Sequence, residues 1–180
     1  VKNDYLNFMT VQGRKTLFLL IDDDDDDAYL FEEVLLQISP HVAFKCVANG
    51  KDALELLQTG NADHPHIIFL DLNMPRMDGR ECLMELKKDK QLKHIPVIIY
   101  TTSSHPNDIR QTLQNGALSF VTKPTNVKDL ENILTTVVNN IDGNLGEALA
   151  ALKQSANMLN VVNTWNENDR IGRVQPFTHL

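Results

Sequence analysis

At 180 residues, with 42% hydrophobic and 23% charged residues, the chain has the composition of a globular protein holding one ordinary domain plus extensions. A formal charge of -7 excludes a concentrated basic surface for nucleic acid, and no apolar run nears the roughly 20 residues needed to span a bilayer. Much of the acidity sits in one run, Asp22 to Asp27. Cys46 and Cys82 show no CxxC spacing, so they read as reduced, buried thiols of a cytoplasmic protein. Residues 1–14 mix polar with apolar side chains, have no signal-peptide core and read as an N-terminal extension.

Thr16 to Ile21 is a continuous apolar run, read as a strand buried on both faces, and it stops at the aspartates. Leu30, Phe31, Val34, Leu35 and Ile38 then recur at helical spacing, and Ser39-Pro40 closes that helix. Asp25 to Asp27 suit its first turn, because carboxylates favour the positive end of a helix; Asp24 to Asp27 read as a solvated capping run. Ala43 to Ala48 is a second strand, and a short helix follows with Ala53, Leu54 and Leu57 inward and Gly60 past its end.

The third strand, Ile67 to Leu70, ends abruptly in Asp71, and Pro75 stops regular structure after Asn73 and Met74. Asp78-Gly79 opens a helix carrying Leu83 and Leu86, with Lys87 and Lys88 in its last turn. Pro96 to Tyr100 is the fourth strand and delivers Thr101 and Thr102 to its end. A helix from Pro106 turns Ile109 and Leu113 inward and halts at Gly116. Leu118 to Val121 is the fifth strand, followed by Thr122, Lys123 and Pro124; the last domain helix starts near Asn126 and carries Leu130, Ile133, Leu134 and Val137.

Strands alternating with helices imply parallel pairing and right-handed crossovers, hence a doubly wound five-stranded α/β domain of flavodoxin-like order 2-1-3-4-5 over residues 15–140. In residues 141–180, Leu145, Leu149, Leu152, Ala156 and Leu159 predict one amphipathic helix over about 145–160, packed on its own domain or on a copy of it. An irregular arm containing Trp165 and Phe177 is expected after it, and so short an extension leaves little room for an output domain.

In this topology the first, third, fourth and fifth strands point their carboxyl ends at one crevice. That brings Asp22 and Asp23, Asp71, Thr101 with Thr102, and Lys123 together. Three crowded carboxylates repel unless a cation joins them, and all-oxygen ligation suits a hard ion, Mg²⁺ foremost. Lys123 supplies a fixed positive charge and Thr101 a hydroxyl for phosphoryl oxygens, with Asp71 as the nucleophile.

This ordered set, with Asn73-Met74-Pro75, Asp78-Gly79 and Lys123-Pro124, resembles the receiver domain of two-component response regulators. The resemblance covers residues 15–140 and implies that Asp71 takes a phosphoryl group from a sensor histidine kinase or a histidine phosphotransfer protein. It implies that Asp23 and Asp71 hold Mg²⁺ directly, with the Asn73 backbone carbonyl, and that Asp22 acts mainly through water. Thr101 and Lys123 would contact the phosphoryl group, the Lys123–Pro124 bond would be cis, and Phe120 would be a switching aromatic that turns inward when Thr101 moves. The segments Asp71 to Glu81 and Ile95 to Ser103 are similar to stand-alone regulators that partner bacteriophytochrome-type kinases, which often pair through their last helices.

Two other functions fit a strand-end Asp or this topology. A phosphatase of the haloacid dehalogenase type needs a second Asp two residues on as general acid, where this chain has Asn73. A flavodoxin-like binder needs a phosphate loop after the first strand, where aspartates would repel the ligand. A switch that is not an enzyme towards external substrates is the leading expectation. His64 and His66, flanking Pro65, show no zinc spacing and read as surface residues.

Overall fold

The computed structural model describes residues 16–59, 64–155 and 161–163. Five parallel strands, β1 (Leu17–Ile21), β2 (Ala43–Val47), β3 (Ile67–Leu70), β4 (Val97–Thr101) and β5 (Ser119–Thr122), lie in the order 2-1-3-4-5. Between and after them run α1 (Asp25–Ile38), α2 (Gly50–Gln58), α3 (Gly79–Lys88), α4 (Pro106–Gln114) and α5 (Val127–Asn140).

The central strands are apolar throughout because both faces are covered, and successive side chains go to opposite layers. Phe18, Leu20, Phe69, Ile98, Tyr100 and Val121 meet Phe31, Val34 and Leu35 of α1 and Leu130, Ile133, Leu134 and Val137 of α5. Leu19, Ile21, Ile68, Leu70, Ile99 and Phe120 face Ala53, Leu54 and Leu57 of α2 and Cys82, Leu83 and Leu86 of α3. Each of the buried Val, Leu, Ile and Phe side chains contributes about 1.5–3 kcal/mol by leaving water.

Polar caps stop and start the helices where the sequence suggests. Asp24, Asn49, Asp78 and Asn126 each accept from backbone N–H groups of the first turn of the helix they precede. On α4, Ile109 and Leu113 pack half-buried against the α2–α3 layer as expected, and the fully buried residue is Thr112, whose hydroxyl donates to the Asp108 carbonyl at 2.7 Å.

The C-terminal extension meets one expectation and departs from another. Helix α6 (Leu145–Ser155) packs on α5 within the same chain, with Leu145 and Leu149 buried among Leu130, Ile133 and Leu134. This is packing on its own domain, one of the two arrangements expected of the stripe, while Ala156 and Leu159 lie outside the described residues. In place of a wholly irregular arm, β6 (Val161–Asn163) pairs antiparallel with β5, setting Val161 opposite Val121 and Asn163 opposite Ser119. A strand of three residues carries too little alternation to be read from sequence.

Other expectations are corrected. Cys82 is buried, but Cys46 is exposed, because β2 is the edge strand and only partly covered. His66 is not a plain surface residue: its Nδ1 accepts the Leu17 N–H at 3.1 Å and helps hold the start of β1. Glycine 60, Trp165 and Phe177 fall outside the described residues.

Candidate functional site

The sheet's own ladders carry the polar residues to one edge. The Asp22 N–H donates to the Val47 carbonyl at 3.0 Å and the Asp71 N–H to the Ile21 carbonyl at 2.9 Å. The Lys123 N–H donates to the Thr101 carbonyl at 2.8 Å. Pairing therefore continues one residue past the strands, and these side chains are fixed by the backbone that delivers them.

Carboxylate oxygens of Asp22, Asp23 and Asp71 lie within 4.8 Å of one another. Asp22 and Asp71 are buried, and Asp23 is exposed at the mouth. Asp71 Oδ2 accepts the Asn73 N–H at 2.9 Å, whereas the buried Oδ1 meets no hydrogen-bond donor among the described residues. Asp22 Oδ1 accepts the Asp24 N–H at 3.1 Å. Its Oδ2 forms an ion pair with Lys123 Nζ at 2.7 Å, approached at an angle outside hydrogen-bonding geometry.

A buried carboxylate oxygen without a donor is costly unless something positive reaches it. Burial pushes the Asp22 carboxyl above its ordinary value, and the Lys123 ammonium, which pulls it down, does not cancel that rise. Burial alone would lower Lys123; the ion pair with Asp22 and the hydrogen bond it donates to Asp27 outweigh that and hold the ammonium above its usual range. Three hard oxygen donors with one open buried oxygen fit a divalent cation.

Thr101 is fully buried as the last residue of β4, and its Oγ1 accepts the Ser103 N–H at 3.4 Å. Thr102, one residue on, is exposed. Asn73 is exposed in the loop after β3. In the same loop Arg76 adopts a φ of 68°, and the Met77 N–H donates to the Pro75 carbonyl at 2.8 Å, which makes a tight γ-turn. A non-glycine residue held there stores strain beside the site.

Two expectations about the switch side are corrected. The Lys123–Pro124 bond is trans, since no peptide bond among the described residues is cis. Trans is the intrinsically favoured isomer of an X–Pro bond, and from it Lys123 already reaches Asp22. Phe120 is already fully buried against the α2–α3 layer, so the inward position expected only after phosphorylation is the one this structure shows. The ring shares its buried cluster with Leu70 and Ile99.

Sequence reasoning missed Asp27. Its Oδ2 accepts from Lys123 Nζ at 2.6 Å, although the run it belongs to reads as a solvated cap. A signal was present: Asp27 lies four residues before Phe31 and so continues the buried stripe of α1. A second unforeseen network ties α3 to α4. Asp108 Oδ1 accepts from Arg80 Nε at 3.2 Å and forms an ion pair with Nη2 at 2.8 Å, and Oδ2 accepts from Ser103 Oγ at 2.7 Å.

Comparison with known proteins agrees with this geometry. The family model for the response regulator receiver domain matches residues 18–135. Response regulator Rcp1 of Synechocystis sp. (strain ATCC 27184 / PCC 6803 / Kazusa) is 36% identical over 116 residues, covering 62% of this chain and 79% of Rcp1. The structure of the phosphorylated cyanobacterial phytochrome response regulator RcpA superposes with a TM-score of 0.64 at 32% identity, covering 69% of this chain and 91% of that one. The Mn²⁺-bound form of Rcp1 gives a TM-score of 0.62 at 33% identity, over 68% of this chain and 91% of that one. The chain belongs to the response regulator receiver domain family, the phospho-accepting switches of two-component systems.

Proposed function

We propose that Asp71 is the phosphoryl acceptor of this switch and that a histidine phosphorylated on a sensor kinase or phosphotransfer protein is the donor. The observation that carries this reading is the Asp71 carboxylate itself: buried, fixed through Oδ2 by Asn73, and open at Oδ1. An Asp71 oxygen forms the new bond to phosphorus as the phosphorus–nitrogen bond breaks, and the electron pair leaves on the donor imidazole.

Asp22, Asp23 and Asp71, with the backbone carbonyl of Asn73, would hold Mg²⁺; the manganese in Rcp1 is consistent with such a site. When bound, the cation neutralises charge that builds on the transferring oxygens. Lys123 provides the second positive charge, and the Thr101 hydroxyl, with Thr102 beside it, donates to a phosphoryl oxygen. Movement of Thr101 away from Ser103 would then be felt by Phe120 and the β4–β5 surface.

Asn73 in the place of a general acid supports a switch that modifies only itself, not a phosphatase for external esters. A cytoplasmic location fits a partner that presents phosphohistidine there, and no helix among the described residues is long and apolar enough to cross a membrane. The test is incubation with a small-molecule phosphodonor and Mg²⁺, followed by intact mass measurement. One phosphoryl group is expected on the native chain and none on Asp71→Asn; uptake that survives the substitution would overturn the assignment.

A further inference from the structure

Lys123 is held twice in this structure. Its Nζ stands 2.7 Å from Asp22 Oδ2 and donates to Asp27 Oδ2 at 2.6 Å, with the Tyr100 ring centroid 5.7 Å away. Asp22 belongs to the acidic trio, whereas Asp27 stands outside it on the first turn of α1. That turn is pinned, since the Asp27 N–H donates to the Asp24 cap at 3.1 Å.

We propose that Asp27 is a positioning residue acting through Lys123: it shares the ammonium with Asp22 in the resting protein and competes for it with the phosphoryl group on Asp71. The inference rests on the assignment of Asp71 as acceptor and adds a residue that sets how readily the acceptor is engaged. Three features support it. The Lys123 side chain is only 9% exposed, so its ammonium has few alternatives to the carboxylates around it. The backbone of Asp27 is anchored by the cap, so its carboxylate can follow Lys123 towards Asp71 only as far as its own short side chain reaches. Its negative charge, left close to a phosphoryl dianion, also repels the product.

The same carboxylate acts in the opposite direction on cation binding. By drawing part of the Lys123 charge to itself, Asp27 leaves Asp22 less neutralised and more attractive to a divalent ion. Asp27 therefore favours the metal and disfavours the phosphoryl group, a pair of signs that general structural damage does not produce.

The experiment uses the full chain and titration calorimetry with Mg²⁺ alone, then with beryllofluoride as phosphoryl mimic at saturating Mg²⁺. Asp27→Asn is expected to bind Mg²⁺ more weakly and beryllofluoride more tightly, each by roughly two- to fivefold, the scale of a partly exposed charge pair. Asp27→Ser, which also removes the charge, should give the same opposed shifts, and Asp27→Glu should return both towards the native values. Both affinities falling together, or neither moving, would overturn the proposal while leaving Asp71 as acceptor. Failure of the native chain to bind beryllofluoride at all would overturn the acceptor assignment and this inference with it.

Discussion

Asp71 is held from behind by a glycine. A Cβ on Gly79 would lie 1.9 Å from the Asp71 carbonyl oxygen and 2.8 Å from its carbonyl carbon, both rigid backbone. The start of α3 can approach β3 this closely only without a side chain, and the Gly79 N–H uses the approach to bond the Leu72 carbonyl at 3.1 Å. Gly79→Ala is expected to cost about 1–3 kcal/mol in urea unfolding, the range for an overpacked site, and to lose most phosphoryl uptake. A variant as stable and as readily phosphorylated as the native chain would show that the approach is not required. At this scale the sequence discloses the strand-end residues well, because Asp22 and Asp71 each follow an apolar run directly and Lys123 follows one after a single threonine. It does not disclose partners that depend on packing: Asp27 bonds Lys123 from 96 positions away, and a six-aspartate run conceals which member does so.

Between elements, the Arg80–Asp108–Ser103 network links α3, α4 and the loop that carries the Thr101 hydroxyl bond. Burial tends to raise the Asp108 carboxyl, but the bonds from Arg80 and Ser103 outweigh it and hold the group below its ordinary value of 3.8. A carboxyl lowered on folding contributes stability that is complete above its unfolded value and is lost as pH falls through the folded one. Arg80→Ala is therefore expected to destabilise by about 1–2 kcal/mol at pH 7, with the gap to the native chain closing below pH ~3.8. Urea unfolding at neutral and acid pH measures it, and a gap unchanged in acid would contradict the account. Helix positions were legible from caps and spacing, as at Asp78 and Asn126. The pairing of β6 with β5 was not, since an edge strand needs no hydrophobic period and its register is set by a partner distant in sequence.

Over the whole molecule, the sheet works as a positioning device. The layers over its central strands are apolar, and the polar residues of the site stand at the carboxyl ends, where the order 2-1-3-4-5 brings β1, β3, β4 and β5 together. The chain's formal charge of -7 is unevenly spread, with six consecutive aspartates at that end, so the site repels anions unless a cation adds to the positive charge Lys123 already supplies. This arrangement was legible because strands covered on both faces advertise themselves as unbroken apolar runs, and the residue ending each run is then fixed in space. The central claim is that this edge delivers a phosphoryl group to one carboxylate and no other. Treating the phosphorylated protein with borohydride, which reduces an aspartyl phosphate to homoserine, and sequencing the peptides reads that carboxylate directly. Homoserine at position 71, formed with Mg²⁺ and absent when the cation is chelated, is the predicted result; homoserine at another aspartate, or none in a phosphorylated sample, would contradict it.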